Sequence, residues 1–180
     1  MEKSRGIDYV YSYYHGMNPR RAEFILNKRG YRAPLISAAC ELGFGRGVTL
    51  AMNAATSNCT WYGNDIDPAF VGFAKRLTSH QQDNCKLYNS SFQAFNNECD
   101  FEEFDYICLH GVWSWVNDRD RAAICSFVDK KLNPGGLLYI SYNTSPGWAS
   151  FLPIQKLMNL HSDGNYSSNV NKLENINNTL

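Results

Sequence analysis

The sequence predicts an α/β fold built on a doubly wound parallel sheet, and three observations indicate it. From Leu35 onward, short apolar runs alternate with stretches of helical periodicity, which is typical of strand–helix–strand units. The first run ends in a glycine-rich turn at residues 41–47, and the second ends in Asp65. Because crossovers between parallel strands are right-handed, such units place helices on both faces of one sheet.

Length and composition place the chain among ordinary globular domains. Its 180 residues correspond to a single domain, and 44% of them are hydrophobic. Seventeen Lys and Arg balance seventeen Asp and Glu, which disfavours strong nucleic-acid binding. No apolar run approaches the roughly 20 residues that cross a bilayer, and residues 1–8 lack the apolar core of a signal peptide. We therefore expect a soluble, cytoplasmic protein without membrane contact.

The cysteines indicate neither a disulfide framework nor a metal site. All six are scattered, without a Cys-x-x-Cys pair or a histidine at zinc spacing. Cys40 and Cys108 fall in runs that resemble buried strands, where cysteine behaves as a small hydrophobic residue.

Residues 1–34 predict an aromatic N-terminal segment followed by a helix. Asn18 suits the N-cap and Pro19 the first helical position, while Gly30 suits the left-handed residue that ends a helix. Because the net charge is zero, we expect the basic residues here to form a solvated helix face rather than a phosphate site. They are Arg20, Arg21, Lys28, Arg29 and Arg32.

The other elements follow in chain order. Apolar runs predict strands over Leu35–Leu42, Thr60–Asn64, Cys85–Asn89, Phe104–Leu109 and Leu137–Tyr142. Helical patterns predict helices over Val48–Ala55, Ala69–Ser79 and Arg119–Leu132, and a short one over Ile154–Leu160. The core domain then spans residues 35–160, and residues 161–180 are expected to form a polar, Asn-rich tail.

The segment after the first strand, Glu41–Gly47, predicts a ligand-binding loop. Open parallel sheets bind ligands at the carboxyl ends of their strands. Gly43 and Gly45 permit a tight turn and the close approach of a ligand, and the following helix offers unpaired N–H groups to an anion. A dinucleotide fingerprint begun at Gly43 would need glycine where the chain has Val48. The carboxylate of Glu41 is placed to orient the loop and to reach an ammonium group.

The end of the second strand supplies another candidate. An acid at Asp65 can accept hydrogen bonds from both hydroxyls of a ribose, and Ile66 can cover one face of an adenine. Asp65 or Asp67 can instead cap the next helix, with Pro68 in its first turn. Both roles hold together if Asp67 is the cap.

Four ordered motifs resemble the class I S-adenosylmethionine-dependent methyltransferases. They are Glu-x-Gly-x-Gly-x-Gly at residues 41–47, Gly63-Asn64-Asp65, Phe104-Asp105-Tyr106-Ile107 and Leu132-Asn133-Pro134-Gly135-Gly136. Segments 109–116 and 141–148 further resemble a bacterial group whose members carry a C-terminal methyltransferase regulatory domain, and some relatives of that group are described as protein-lysine methyltransferases. The resemblance implies a Rossmann-like three-layer α/β/α fold with a parallel sheet in the order 3-2-1-4-5.

The same resemblance implies a set of residues that bind S-adenosylmethionine. They are Glu41, Gly43, Phe44, Gly45, Asp65, Ile66, Ser91, Phe92 and His110. The loop residues from Glu41 would cradle the methionine part and Asp65 would bind the ribose, while Ile66 and Phe92 would flank the adenine. Ser91 stands where the family often has an aspartate that accepts a hydrogen bond from the adenine amino group.

His110 and Tyr14 are the catalytic candidates. The resemblance puts His110 where the sulfonium methyl faces its acceptor, and Tyr14 over the cofactor. A histidine that titrates near neutrality suits removal of a proton from the nucleophile, although His110 can instead present only its backbone. Several aromatic residues are candidates for the walls of the acceptor pocket or for plain packing: Tyr13, Tyr14, Trp113, Trp115 and Trp148.

We therefore predict a methyltransferase that uses S-adenosylmethionine and acts on a protein lysine or a small molecule. A non-catalytic cofactor-binding module, or a fragment, is the first alternative. A nicotinamide-dependent oxidoreductase is the second, disfavoured by Val48 and Glu41. Base flipping on a nucleic acid is a minor alternative, because Asn143–Pro146 follows the fifth strand rather than the fourth and lacks paired prolines.

The fifth strand is predicted to leave a sheet edge open. The family sheet usually ends with a sixth and a seventh strand, whereas the residues after Tyr142 show no strand-like alternation. An apolar edge with unpaired backbone groups is normally paired or covered. We expect either a homodimer through this edge or a tail that folds back over it.

Overall fold

A computed structural model describes residues 11–81, 83–154 and 156–157. Residues 11–142 belong to one compact unit, and residues from 143 onward belong to another. The elements of the first unit are the 3-10 helix His15–Met17, α1 Pro19–Lys28, β1 Ala38–Leu42, α2 Val48–Ala55, β2 Thr60–Asp65, α3 Pro68–Leu77, β3 Cys85–Asn89, α4 Phe92–Glu98, β4 Phe104–His110, α5 Asp118–Lys131 and β5 Leu132–Ser141.

All strand pairs of the sheet are parallel, and the strand order is β3-β2-β1-β4-β5. On β1, Cys40 pairs with Tyr62 of β2 on one side and with Ile107 of β4 on the other. This order confirms the predicted fold. Since chain connections leave β1 in both directions, the order reverses between β1 and β4, where open α/β sheets bind their ligands.

Two apolar clusters lie on opposite faces of the sheet and give the fold its three layers. Along β4, Tyr106 and Cys108 belong to the first cluster, whereas Ile107 and Leu109 belong to the second. The first cluster includes Leu50 of α2 and residues of α3, while the second includes Phe127 of α5 and residues of α4. This alternation follows the two-residue period of a strand that is buried on both faces.

Local capping explains where the helices begin. The Asn18 side chain accepts a hydrogen bond from Arg20 N at 2.9 Å ahead of α1, and Gly30 beyond that helix has a φ of +80°. Asp67 caps α3 and Asn117 caps α5 in the same way. The predicted starts of these helices are therefore correct to within one residue.

Two predicted strand starts are wrong, and one helix was not predicted. β1 begins at Ala38 rather than at Leu35, which is 89% exposed. β5 begins at Leu132 rather than at Leu137, and residues 133–136, which belong to the fourth sequence motif, form an irregular stretch within the strand. Helix α4 was not predicted.

Five of the six cysteines are buried, and all six are free thiols. The buried thiols lie on strands or beside them, except that Cys99 caps the end of α4. Within the described ranges, no helix is long and apolar enough to cross a membrane.

The second unit is described over 143–154 and 156–157. Trp148 N donates a hydrogen bond to Thr144 O at 2.8 Å, and the Trp148 ring stacks on Phe151 with centroids 5.0 Å apart. Residues 152–154 and 156–157 are helical, which fits the predicted short helix in part. The predicted tail, 161–180, lies outside the described residues, and the covering of the β5 edge stays a prediction.

Candidate active site

The carboxyl ends of β1, β2 and β4 bring three predicted site residues to one edge of the sheet. Glu41 lies near the end of β1, and Asp65 and His110 are the last residues of β2 and β4. In the strand registers, Glu41 pairs with Gly63 and with Cys108, two residues before Asp65 and His110. A parallel sheet therefore gathers residues that are far apart in sequence into one site.

The glycine loop between β1 and α2 uses a left-handed backbone at all three of its glycines. Gly43, Gly45 and Gly47 have φ values of +68°, +57° and +69°. A Cβ on Gly43 would lie 2.8 Å from Val112 Cγ2, and one on Gly47 would lie 2.6 Å from Ala74 Cβ. A Cβ on Gly45 would meet no atom of the described residues within 4 Å beyond its two chain neighbours. Gly43 and Gly47 thus allow close packing, whereas Gly45 presents bare backbone at the open face of the loop.

Asp65 ties the glycine loop to the end of β2. Gly45 N donates to Asp65 Oδ2 at 2.8 Å, and Asp67 N donates to Asp65 Oδ1 at 2.9 Å. Burial raises the pKa of the Asp65 carboxyl, while these two hydrogen bonds act in the opposite direction. Asp67 caps α3 through Ala69 N at 2.8 Å. The capping role therefore falls to Asp67, and the Asp65 carboxylate, with about four acceptor sites, keeps acceptor capacity for a ligand beside its backbone hydrogen bonds.

Glu41 is a buried carboxyl group that lacks a complete set of partners. It is 4% exposed, and its Oε2 has no hydrogen-bond partner among the described residues. Burial, and then the charge of Asp65, raise the pKa of Glu41 to about 8. A buried polar atom without a partner is costly, so it indicates a place where a polar or cationic ligand group is accommodated.

The segments that follow β3 and β2 contain the three residues predicted to contact the adenine. Ser91 Oγ accepts a hydrogen bond from Ala94 N at 3.2 Å and so caps α4. Phe92 is half-buried, and its Cζ would lie 3.6 Å from a Cβ on Gly43. Ile66, after β2, is exposed. All three residues follow the carboxyl ends of β2 and β3, whereas the side chain of Phe44 packs into the core.

His110 is stacked under Tyr14 at the end of β4. The two ring centroids are 3.9 Å apart and the rings are inclined by 29°. His110 Nδ1 is buried and has no hydrogen-bond partner in the described part of the chain. Burial lowers the pKa of His110 below its usual 6.5, so the imidazole is neutral at neutral pH. The structure therefore brings together the two predicted catalytic residues.

The remaining aromatic candidates differ in their surroundings. Tyr13 is held by its hydroxyl, which donates to Asn53 Oδ1 at 3.1 Å. Trp113 packs against the second core cluster, and Trp115 is 61% exposed. Trp148 belongs to the other compact unit. Of the two roles predicted for these aromatic residues, plain packing accounts for Trp113.

Sequence reasoning missed two buried polar residues of α2, Thr49 and Asn53. Both are almost fully buried, and both bond to the segment before α1: Tyr14 N donates to Thr49 Oγ1 at 3.0 Å, and Asn53 accepts from Tyr13. The signal that was available is their spacing of four residues, which puts two polar side chains on one face of an otherwise apolar helix.

Sequence comparison identifies the type of domain. A family model described as a methyltransferase domain matches residues 39–136, which is more than half of the chain. The matched range begins on β1 and ends within β5, so it contains the glycine loop, Asp65 and His110.

Individual relatives are similar over most of this chain. The uncharacterized protein sll1526 of Synechocystis sp. is 34% identical over 157 residues, covering 84% of this chain and 31% of that protein. The uncharacterized protein RP028 of Rickettsia prowazekii is 32% identical over 138 residues, covering 74% and 53%. The structure of PKMT2 from Rickettsia typhi in complex with AdoHcy matches with a TM-score of 0.73 and 27% identity, covering 96% of this chain and 35% of that one. This chain therefore spans about a third to a half of the length of these proteins.

Proposed function

The chain belongs to the class I S-adenosylmethionine-dependent methyltransferases, and from this premise we propose that it binds S-adenosylmethionine at the carboxyl edge of β1, β2 and β4 and moves the methyl group to a nucleophilic acceptor. The hydrogen bond from Gly45 N to Asp65 Oδ2 carries this proposal. It fixes the bare backbone of the loop next to a carboxylate that can accept two hydroxyl groups, the pair of features that a ligand with a carboxylate-bearing chain and a ribose requires.

The described residues fit the cofactor. Glu41 offers an unpartnered buried oxygen to the ammonium group of the methionine part, and Gly45 leaves room for its chain. Asp65 would accept from the ribose hydroxyls, while Ile66 and Phe92 would lie against the adenine. The hydroxyl of Ser91 would accept from the adenine amino group beside its capping bond.

The proposed chemistry divides between alignment and proton removal. When bound, S-adenosylmethionine supplies a methyl group on a sulfonium, an electrophilic carbon with a good leaving group. The neutral imidazole of His110 accepts the proton that the attacking nucleophile gives up. The ring of Tyr14 covers one face of His110 and excludes water from it.

The acceptor in this proposal is a nucleophile that carries a proton, either a lysine side chain of a protein or a small molecule.

Membership of the bacterial group with a C-terminal regulatory domain is also part of the proposal, supported by segments 109–116 and 141–148. A cytoplasmic location and pairing through the β5 edge stay predictions from the sequence.

Calorimetric titration tests the binding part of this proposal. We expect S-adenosylmethionine and S-adenosylhomocysteine to bind with one site per chain, and NAD to show no heat of binding, because Val48 occupies the position of the third glycine of the dinucleotide loop. Binding of NAD in preference to both S-adenosyl ligands would contradict the proposal. Binding without transfer of labelled methyl groups into a cell extract would favour the non-catalytic module instead.

His110→Ala is expected to lower the rate of methyl transfer by about 100-fold or more, the usual size of a general-base contribution, while changing the affinity for S-adenosylmethionine little. The wild-type rate should fall with decreasing pH only below the usual histidine pKa of 6.5, since burial lowers the pKa of His110 and protonation removes the base. The exposed His80 supplies the control His80→Ala, which should keep the wild-type rate and profile. Equal rates in wild type and His110→Ala would remove His110 from the chemistry.

A further inference from the structure

The segment before α1 is fastened across the carboxyl edge at several points. We call residues 11–17 the N-terminal strap. Its far end is held because Met17 is fully buried and Met17 O accepts a hydrogen bond from Tyr106 OH at 3.1 Å. Near its middle, the hydroxyl of Tyr13 accepts from Asn18 Nδ2 at 2.8 Å. The C-terminal end of the strap is thus bonded to β4, whereas this bond of Tyr13 joins it only to Asn18, the residue that follows the strap.

Those anchors come from one face of α2. Thr49 Oγ1 accepts from Tyr14 N at 3.0 Å and contacts Ser12 O at 3.4 Å, so it holds the strap backbone on both sides of Tyr13. Asn53, one turn later, accepts from Tyr13 OH at 3.1 Å, and its Nδ2 lies 3.5 Å from Met17 O. Thr49 is 3% exposed and Asn53 is 2% exposed. Buried polar groups with such partners fix a geometry more tightly than apolar packing does.

The anchors determine where the Tyr14 ring lies. Tyr14 is itself partly exposed, and its ring contacts His110. Its backbone accepts a hydrogen bond from Met17 N at 2.9 Å within the strap and donates one to Thr49 of α2. A single ring stack is too weak to order a chain segment, because every residue that is ordered loses backbone conformational entropy. The hydrogen bonds from α2 are therefore required to keep the ring on His110.

We propose that Thr49 and Asn53 are positioning residues of the methyl-transfer site, which hold the N-terminal strap so that Tyr14 covers His110. The inference rests on the proposed function for its catalytic consequence. The placement of Tyr14 on His110 is a property of the chain itself and is measurable in the protein without any ligand.

The test compares Thr49→Val, which keeps the side-chain shape but removes the hydroxyl, with Thr49→Ser, which keeps the hydroxyl. The pKa of His110 is measured by NMR titration of its ring protons in the ligand-free protein, assigned with His110→Gln. We expect Thr49→Val to raise this pKa toward 6.5, because the strap loosens and His110 loses burial. Thr49→Ser should restore the wild-type value. Methyl transfer should fall several-fold in Thr49→Val, with little change in the affinity for S-adenosylmethionine.

Thr78→Val is the matched control. Thr78 is a buried threonine at the C-terminal end of α3, and its hydroxyl donates to Ala74 O one turn earlier. Because no hydrogen bond described for Thr78 reaches the N-terminal strap, its loss should leave the pKa of His110 unchanged. If Thr49→Val fails to fold, Tyr13→Phe is the second variant. It removes the hydrogen bond to Asn53 by changing the partly exposed Tyr13, and it should likewise raise the pKa of His110. An unchanged His110 pKa in a folded Thr49→Val or Tyr13→Phe protein overturns the inference. A shifted pKa in a protein that never transfers methyl groups upholds the positioning and refutes only the proposed function.

Discussion

Replacing Gly45 by valine is expected to abolish binding of S-adenosylmethionine. Gly45 has a φ of +57° and donates its N–H to Asp65, so its position in the loop is fixed. The added side chain would project from the open face, where a Cβ meets no atom of the described part of the chain within 4 Å beyond its two chain neighbours. In the proposed complex, this is the space of the methionine part. Calorimetry should detect no binding at ligand concentrations that saturate the wild-type chain.

Gly30→Val is the control that separates the two effects of Gly45→Val, the filling of the ligand's space and the strain in the backbone. Gly30 also has a left-handed backbone, with a φ of +80°, and a Cβ there likewise meets no atom of the described residues within 4 Å beyond its two chain neighbours. A β-branched residue in this conformation costs about 1–3 kcal/mol of stability at either position. We therefore expect both variants to unfold at lower temperature and Gly30→Val alone to bind the cofactor. Retained binding by a folded Gly45→Val protein would show that the loop does not hold the ligand.

Asp65→Ala is expected to weaken S-adenosylmethionine binding by about 1–3 kcal/mol, or about 5- to 150-fold in Kd. The substitution removes the acceptor for the ribose hydroxyls and also leaves Gly45 N without its partner in the loop. The first effect acts on the bound state, because the ligand hydroxyls then meet an apolar methyl group, and the second loosens the loop that binds the ligand. Titration of S-adenosylhomocysteine should show a loss of similar size, since the ribose is common to both ligands.

Asp67→Ala is the neighbouring control. Asp67 accepts from Ala69 N and caps α3, so its loss should lower stability by about 1 kcal/mol and leave the affinity nearly unchanged. If Asp65→Ala binds as tightly as wild type, the ribose assignment is wrong. If Asp67→Ala loses as much affinity as Asp65→Ala, the effect comes from the start of α3 rather than from a ligand contact.

The central part of the fold was predictable because its signals are local. The strands β2, β3 and β4 and the helix α2 follow from apolar runs and caps that each lie within a few residues. Helix α4 has a cap in Ser91 but no helical apolar pattern: it is seven residues long and contains Asn96 and Asn97, which are poor helix formers. It forms because Ser91 caps it and Phe95 is fully buried against Phe127, a residue 32 positions away.

The residues of the candidate site also differ in whether the sequence could predict them. Glu41 and Asp65 were predicted as site residues because each lies at or near the end of an apolar run, and parallel strands end at one edge. His110 was predicted from the family resemblance. The role of Thr49 was not predicted, since the hydrogen bond from Tyr14 N joins residues 35 positions apart. Arg46 is similar: its guanidinium lies 4.3 Å from the centroid of the Tyr11 ring, a contact between the loop and the strap that no local pattern encodes.

The buried thiols of Cys40 and Cys108 are natural probes of local opening on the two faces of the sheet. They lie on adjacent strands but in different layers, and burial raises the pKa of both well above the usual range. Alkylating reagents attack thiolates, so these two cysteines react only when their layer opens, whereas the exposed Cys125 reacts at once. The lag between the labelling of Cys125 and that of each buried thiol therefore reports the free energy of opening of each layer separately.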